Sequence, residues 1–585
     1  MTFENILEEA GGFGRYQKSL LIGYFIPCFT IFPWFSMHVI FITSIPDHWC
    51  YIPLIAKSNL SLETQKQLIK PESKSKCLMY DVDYSKVLRT HRLNVGPHTP
   101  TVRCNHGWAF DKSTYVETST TRWNMVCQYD IYVPLILAST FIGVFIGTPF
   151  YTAFSERFGH RLAFFVSATV ICISEVGSAY SPDFTLFVLL RIFGGSAVST
   201  IQSTTYLIVL ELVSPKLRTR LNGISTISWA AGSSTVPFLA WLTADWRKLC
   251  GLNSVCAAAM LLLYFRWIPE SPRWLMSKNK HEEAVEILKN ISRFNDGTAH
   301  EDSQLINRIR CLGVDCRTFV EEQKNVSHKE FFRHPGIRRR LLILTMCWML
   351  NSMPYYGLMM NTRFLYGDPF LNYFLAAMVE VPSHLATFIL LEGLGRRWTT
   401  VLALACTSVA CFMPFIFRDA KGVGIVSTFF AKAACSASYM TLNIQASELF
   451  PNPLRPKAIR LCCTAGVCGS IVAPFIVYLY KFGAHLPFLV FSVLMAVAAV
   501  CSSFLLETRG KPLSQTIAEA EESEKHWKFF SSVCCTSTEN DETSWREVVR
   551  ALPDFSDSAT PRTYLNENQS TLSSQSCPNL NSSSS

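Results

Sequence analysis

Long apolar stretches recur along the chain and alternate with shorter polar segments. A helix of about 20 apolar residues is long enough to cross the ~30 Å hydrocarbon core of a bilayer. Twelve such stretches can be traced, at residues 20–43, 132–153, 162–180, 184–210, 222–243, 249–267, 341–361, 371–391, 399–417, 424–446, 459–481 and 486–506. The pattern therefore predicts an all-α integral membrane protein with twelve transmembrane helices.

The composition of the 585-residue chain agrees with this prediction. Hydrophobic residues make up 49% and charged residues only 17%, and the mean hydropathy is +0.21. The first apolar stretch is too long for a cleaved signal peptide, and it continues through Trp34 and Phe35 instead of ending in small residues. The net charge of +9 does not indicate a nucleic-acid partner, because basic residues in membrane proteins sort by side of the bilayer.

Basic residues are concentrated in the short segments that follow the even-numbered stretches. This asymmetry predicts that both termini lie in the cytoplasm. We accordingly divide the chain into a cytoplasmic N-terminus, a first six-helix half, a cytoplasmic linker with short helices, a second six-helix half and a cytoplasmic tail that is disordered toward its end. These parts are residues 1–19, 20–267, 268–340, 341–506 and 507–585.

A large segment at residues 44–131 separates the first two stretches and is predicted to be extracellular. It contains Cys50, Cys77, Cys104 and Cys127. An even number of cysteines in an oxidising compartment predicts two disulfides, with three connectivities open. Asn59 begins a glycosylation sequon in the same segment.

Two charged motifs occur twice at nearly one offset. "ELVSPKLR" at 211–218 returns as "ELFPNPLR" at 448–455, and "ERFGHR" at 156–161 returns as "EGLGRR" at 392–397. Each copy follows the second or fourth apolar stretch of its half. A duplicated six-helix unit is the simplest explanation, and it predicts two pseudo-symmetric halves that alternate access to a site between them.

The repeated charges are candidates for a cytoplasmic gate. Carboxylates and guanidiniums at helix ends can pair when the inner face closes, which would favour the outward-open state. The alternative is that they are solvated loop charges that follow the positive-inside rule. The gate candidates are Glu156, Arg157, Arg161, Glu211, Arg218, Glu270, Arg273, Glu392, Arg396, Arg397, Glu448 and Arg455.

Several further motifs resemble those of one family. They include "LEEAGGFGRYQ" near the start, "GWAFDKSTYVETSTTRWNMVC" before the second stretch, "PESPRWLMSKNKHEEAVEIL" after the sixth and "ETRGKPLSQTI" after the twelfth. In this order they resemble solute carrier family 22 of the major facilitator superfamily, the organic cation, anion and zwitterion transporters. The resemblance implies the major facilitator fold and a place in the plasma membrane. The loop after the second stretch departs from the family pattern at Thr152, Glu156 and His160.

Ionisable residues inside apolar stretches are costly and therefore mark functional sites. Glu380 lies in "AAMVEVPSH", a pattern that by resemblance faces the central cavity of the family. Aromatic rings beside a carboxylate suit an organic ammonium, since each ring adds a cation–π attraction of about 1–2 kcal/mol. The predicted substrate-binding residues are Gln202, Tyr206, Trp348, Tyr355, Tyr356, Glu380, Lys432 and Val467.

The charge preference of this site is left open by the sequence. By resemblance, cation and anion transporters of the family carry opposite charges at the position of Val467, which is neutral here. Glu380 and Lys432 together make a zwitterion a further candidate.

The leading hypothesis is a carrier of small organic cations or zwitterions, facilitative or coupled to Na⁺ or H⁺. The alternatives are an organic-anion exchanger and a non-transporting sensor or scaffold that keeps the fold. The sequence contains no phosphate-binding loop and no hydrolase or zinc-protease motif, so we expect no enzyme, metal or cofactor.

Overall fold

Helices coincide with all twelve predicted spans in the computed structural model. We number them α1 to α12. Their bounds are Arg15–Ile42, Tyr132–Phe158, His160–Ala179, Phe184–Leu212, Pro215–Thr243, Trp246–Tyr264, Pro335–Asn361, Pro369–Leu394, Arg396–Ile416, Lys421–Glu448, Arg455–Tyr478 and Leu486–Ser502. Seven of these helices meet a strict requirement of length and hydropathy for crossing a membrane, and α12 is a shorter apolar helix.

The structure describes most of the chain outside the C-terminal tail. The described residues are 7, 14–58, 60–70, 76–90, 99–213, 215–295, 329–417, 420–511 and 513–525, without the side chains of 89–90, 215–220, 222 and 421. The predicted glycosylation site at Asn59 and the predicted disordered end of the tail lie outside these residues.

In the described part of the chain two of the membrane helices are interrupted, and proline accounts for the breaks at Thr30 and Val379. Helix α1 breaks at Thr30 and again at His38, and α8 breaks at Val379. Because proline has no N–H to donate, Pro33 leaves the carbonyl of the fourth residue before it without a helical partner, and Pro382 does the same in α8. His38 therefore lies between two helical segments of α1, and Glu380 begins the second segment of α8.

The segment between α1 and α2 is a small folded unit with its own core. Strands β1 (His48–Cys50), β2 (Leu78–Tyr80), β3 (Thr101–Arg103) and β4 (Trp108–Phe110) form two antiparallel pairs, β1 with β4 and β2 with β3. Disulfides join Cys50 to Cys104 and Cys77 to Cys127. Short helices complete the unit at Pro53–Ala56, Leu62–Ile69, Tyr84–Thr90, Ser119–Arg122 and Cys127–Tyr129.

Short helices also flank the second half. They span Pro272–Ser277, His281–Asn295 and Glu330–Arg333 in the linker, Thr362–Phe364 and Leu479–Lys481 after α7 and α11, and Ile517–Lys525 in the tail. The tail helix is tied to the start of α7, since Glu524 binds Arg339 at 3.2 Å and Arg340 at 2.9 Å. Glu521 of the same helix accepts the Ile337 N–H at 3.0 Å. The basic residues that open α7 therefore anchor this helix.

The duplicated loop motifs form the same cap in both halves. The Glu270 carboxylate accepts N–H groups of His160 and Arg161 at the start of α3, at 2.9 and 3.2 Å. A carboxylate at a helix N-terminus satisfies free N–H groups and complements the helix dipole. Burial raises the pKa of Glu270 and outweighs the opposing effect of these N–H groups. Ser271 donates to Glu211, which ties the cap to the end of α4.

In the second half, Glu507 repeats this cap on the start of α9. It accepts the N–H groups of Arg396 and Arg397 at 2.8 and 3.0 Å, and Thr508 donates to Glu448. The internal repeat therefore also includes the segments that carry the capping carboxylates, "PES" at 269–271 in the first half and "ETR" at 507–509 in the second.

We call the end of the helix bundle that carries strands β1 to β4 the loop face and the opposite end, which carries the short helices Pro272–Ser277 and His281–Asn295, the linker face. At the loop face the halves share a continuous buried cluster, with Phe41 of α1 stacked on Phe370 of α8 at 5.5 Å. Tyr478 and Lys481 also bind Asp130 there, at 2.7 and 2.6 Å. At the linker face Glu156 of α2 lies 3.3 Å from Arg460 of α11, and both side chains are half exposed. The halves are therefore packed most closely at the loop face.

We predict that Gly395→Ala destabilises the protein, whereas Gly393→Ala does not. Gly395 has φ +84°, and an added Cβ would lie 2.7 Å from the Glu507 carboxyl carbon, while a Cβ at Gly393 meets nothing within 4 Å. The positive φ of Gly395, combined with its extended ψ of 173°, is a region that costs a residue with a side chain about 1–3 kcal/mol, and the displaced cap adds to this. Thermal unfolding of the purified protein in detergent should show a melting temperature several degrees lower for G395A. Equal melting of the two variants would contradict the cap.

Candidate functional site

A buried ion pair lies near the middle of the second half. Lys432 of α10 places its Nζ 2.7 Å from Oε1 of Glu380 on α8, and the side chains are 0% and 2% exposed. Lys432 Nζ also donates to the Tyr355 carbonyl at 3.1 Å, and the Tyr355 hydroxyl donates to Glu380 Oε2 at 3.1 Å. Each charge is thus satisfied by its partner and by α7. Removing one member of such a pair costs about 3–5 kcal/mol, because the other stays buried and unpaired.

Aromatic rings surround this pair. Lys432 Nζ lies 3.3 Å from the centroid of the Tyr355 ring. Tyr356 and Tyr439 both contact Tyr355, at ring separations of 5.1 Å, and Trp348 lies 5.2 Å from Tyr439. The site therefore presents one carboxylate, one ammonium and several π faces, a combination that can hold an organic ammonium group.

The first half completes the aromatic wall. Trp229 of α5 donates its Nε1 hydrogen to the Tyr355 hydroxyl at 2.8 Å, and Phe141 of α2 lies 4.8 Å from the Tyr356 ring. Phe32 of α1 packs on Trp229 at 4.8 Å. The charged pair belongs to one half, but the rings over it come from both.

The predicted substrate-binding residues divide into two groups. Trp348, Tyr355, Tyr356, Glu380 and Lys432 lie together around the ion pair, as described above. Gln202 and Tyr206 contact partners within the first half, at 3.5 Å to Ser225 and 6.0 Å to the Tyr24 ring. Val467 is half-buried and packs against the apolar cluster that the halves share. The binding roles of all eight residues stay predictions.

Four aromatic residues of the site, Tyr439, Trp229, Phe141 and Phe32, were not among the predicted residues. Tyr439 lies seven positions after Lys432 and so projects from the same face of α10, a spacing that was available in the sequence. Trp229 is one of two tryptophans in α5, and nothing local distinguishes it from Trp241, which is largely exposed on the helix bundle. Its contact with Tyr355 exists only once the two halves have assembled.

Several gate candidates bind within their own half. Arg396 lies 3.3 Å from Glu448, and Arg455 donates to the Phe450 carbonyl at 3.2 Å rather than to Glu448. Arg161 donates to the Phe265 carbonyl at 2.6 Å, and Arg397 to the Leu505 carbonyl at 3.4 Å. These contacts hold helix ends together inside each half.

The other gate candidates vary in what the structure shows. Glu156 forms the contact with Arg460 that crosses between the halves at the linker face. Arg157 lies over the Phe158 ring at 5.3 Å, Glu392 is exposed and Arg273 is half-buried. The side chain of Arg218 lies outside the described residues. Gating by these residues stays a prediction.

Two groups of described residues have the spacing of metal ligands. One contains His48 with Cys77 and Cys127, but these two cysteines form a disulfide and offer no thiolate. The other contains His38, Glu175 and Cys250, and there Arg191 already supplies a positive charge, 2.9 Å from Glu175. Neither group fits a metal ion.

Comparison with known proteins identifies the family. The family model described as "Sugar (and other) transporter" matches residues 102–519. The chain belongs to this family. A proton:xylose symporter of the major facilitator superfamily, solved with 6-bromo-6-deoxy-D-glucose, has a TM-score of 0.55 and 18% identity, and the match covers 88% of this chain and 99% of that one. The predicted all-α fold with twelve transmembrane helices is thus confirmed as the major facilitator fold.

Curated relatives narrow the family further. A beta-alanine transporter of Drosophila melanogaster is 29% identical, with 92% of both chains covered. The organic cation/carnitine transporter 2 of Homo sapiens is 28% identical, with 88% of this chain and 93% of the relative covered. These matches confirm the resemblance to solute carrier family 22. The protein is a multi-pass membrane protein of a transporter family.

We predict that Glu380→Gln destabilises the protein and that adding Lys432→Met restores most of the loss. The single variant leaves the Lys432 ammonium buried without a counter-charge, at a cost of about 3–5 kcal/mol, whereas the double variant removes both charges. Melting temperatures of the purified single and double variants in detergent test this prediction. A double variant no more stable than E380Q would show that the two residues do not depend on each other.

Proposed function

We propose that this protein carries small organic zwitterions and cations across the plasma membrane, with zwitterions preferred. The observation that carries this proposal is the buried pair of Glu380 and Lys432, 2.7 Å apart beneath a wall of aromatic rings. The names of the relatives support it, since beta-alanine and carnitine each carry an ammonium group and a carboxylate.

The preference follows from the charges of the pair. A cation that binds Glu380 must displace Lys432, which then stays buried without a partner. A zwitterion can offer its ammonium group to Glu380 and its carboxylate to Lys432, so that both buried charges remain satisfied. Because an unpaired buried charge costs several kcal/mol, the zwitterion has the advantage wherever both groups reach the pair.

The proposal includes the orientation of the protein in the membrane and the movement of its two halves during transport. We place the loop face outside, because residues 44–131 carry two disulfides, which persist in oxidising compartments. Both termini are then cytoplasmic. The close packing of the halves at the loop face corresponds to a carrier closed to the outside. Transport requires the halves to rock so that this face opens and the linker face closes.

Uptake of three ligands of matched size tests the charge preference. We expect β-alanine to be taken up at least tenfold faster than its cationic amide, β-alaninamide, and 3-hydroxypropionate to be excluded. K432M should lose β-alanine uptake and keep the amide, because the carboxylate then has no counter-charge. Radiolabelled uptake into proteoliposomes measures all three.

The other outcomes distinguish the alternatives. Preferred uptake of 3-hydroxypropionate would indicate an anion exchanger. Binding of β-alanine by the purified protein without flux would indicate a sensor. Each of these results would contradict the proposal.

Charge reversal tests whether Glu156 and Arg460 join the halves at the linker face. E156R should lower the turnover rate roughly threefold to fivefold, since partly exposed pairs contribute less than about 1 kcal/mol. The double variant E156R/R460E should recover the rate. If the single variant changes apparent affinity and leaves turnover unchanged, the contact has no role in movement.

A further inference from the structure

A second buried charged cluster lies in the first half, separate from the substrate pair. Arg191 of α4 donates through Nη1 to Glu175 Oε1 of α3 at 2.9 Å, with both side chains 0% exposed. His38, at the second break in α1, lies with Nε2 3.4 Å from Glu175 Oε2 and is 2% exposed. Arg191 also donates to Thr140 of α2 at 3.2 Å and lies over the Phe35 ring at 4.3 Å. The substrate site described above uses none of these groups.

The imidazole of His38 has two different neighbours at one nitrogen. Nδ1 lies 2.5 Å from the Trp34 carbonyl, which can only accept, so the hydrogen of the neutral ring is on Nδ1. Nε2 is then an acceptor and faces Arg191 Nη1 at 3.3 Å. A protonated Nε2 would instead donate toward Glu175 Oε2 at 3.4 Å. The ring can therefore exchange one partner for the other when it gains a proton.

The carboxylate oxygen that faces this nitrogen is not satisfied. Glu175 Oε2 is buried and accepts no hydrogen bond from a nitrogen or oxygen donor in the described structure. A buried acceptor without a donor is costly, and protonation of His38 supplies the missing one. The remaining titratable neighbour is Cys250 of α6, whose sulfur lies within 4.8 Å of both groups. Helix α2 contributes the neutral Thr140.

We propose that His38, Glu175 and Arg191 form a proton-binding site that couples proton movement to transport. The proton binds at Nε2 of His38, is held by Glu175 and is released when Arg191 becomes the partner again. The inference rests on the proposed transport function and specifies its coupling ion.

The path from this site to the substrate pair runs through α1. The Trp34 carbonyl holds His38, and Nε1 of Trp34 donates to Thr235 of α5 at 2.9 Å. Two residues before Trp34, Phe32 packs on Trp229, which donates to Tyr355 beside Glu380. A change at His38 can therefore reach the substrate site through α1, Phe32 and Trp229.

Transport under a proton gradient tests the coupling. Proteoliposomes hold the full-length protein at internal pH 7.5, with the membrane potential clamped at zero by potassium and valinomycin. We expect an external pH of 6.0 to accelerate β-alanine uptake at least fivefold over pH 7.5. His38→Gln should abolish this response and keep β-alanine exchange at equal pH within twofold of wild type. His485→Gln, at the start of α12, is the matched control and should respond like wild type.

Two results would overturn the proposal: uptake by the wild type that ignores the gradient, or an H38Q variant that still responds to it. A second measurement does not depend on β-alanine. Nitrogen-15 NMR of histidine-labelled protein should show one signal, absent in H38Q, whose Nε2 gains a proton as the pH is lowered. Absence of β-alanine flux under every condition would reject the transport proposal, and the NMR titration alone would then decide the proton site.

Discussion

The ion pair between Glu380 and Lys432 is the interaction on which the arrangement of the site depends. Neither charge reaches water in this conformation, so each must be held at hydrogen-bond distance from the other. Three helices meet to do this: α8 breaks beside Glu380, α10 supplies Lys432, and α7 contributes the Tyr355 hydroxyl and carbonyl. Any ligand that enters must replace these contacts. The pair therefore sets the stability of the closed site, and under the proposed function it also sets the charge of the substrate.

The two halves share a scaffold but differ in the chemistry that they carry. The repeated motifs at 211–218 and 448–455 are 237 positions apart, so the same offset gives the position in the first half that corresponds to each residue of the second. Glu380 and Lys432 then correspond to Gly143 of α2 and Gly195 of α4. A Cβ at Gly143 would lie 2.2 Å from the Ile192 carbonyl, and one at Gly195 would lie 2.3 Å from the Thr140 carbonyl. Where the second half has a charged pair, the first half has glycines that let α2 and α4 pack closely. The duplicated unit thus kept its capped turns and diverged at its centre.

Sequence reasoning found the features that local rules govern. Apolar length predicted every membrane helix, and the rule that charges are costly inside apolar stretches selected Glu380 and Lys432. The disulfide pairing and the role of Trp229 could not be predicted, because both depend on contacts between distant segments. The same limit applies to Glu448. The sequence groups it with Arg455, because the two residues share a motif, but in the structure Glu448 lies 3.3 Å from Arg396. Spacing along the chain shows that charges recur, and only packing shows which of them meet.

The closed loop face is stabilised mainly by apolar packing rather than by its polar contacts. Buried aromatic rings such as Phe41, Phe370 and Tyr373 each remove some 150–250 Å² from solvent, at about 25 cal/mol per Å². The pair of Lys481 with Asp130 is partly exposed and contributes at most about 1 kcal/mol. The hydrogen bond from Trp229 to Tyr355 is similarly small, at about 0.5–1.5 kcal/mol. Opening must break this bond as well, and the freed Tyr355 hydroxyl still faces Glu380. Trp229 therefore contributes little to the stability of the closed face. Its effect is to link the position of the first half to the orientation of the Tyr355 hydroxyl, which donates to the buried Glu380 carboxylate.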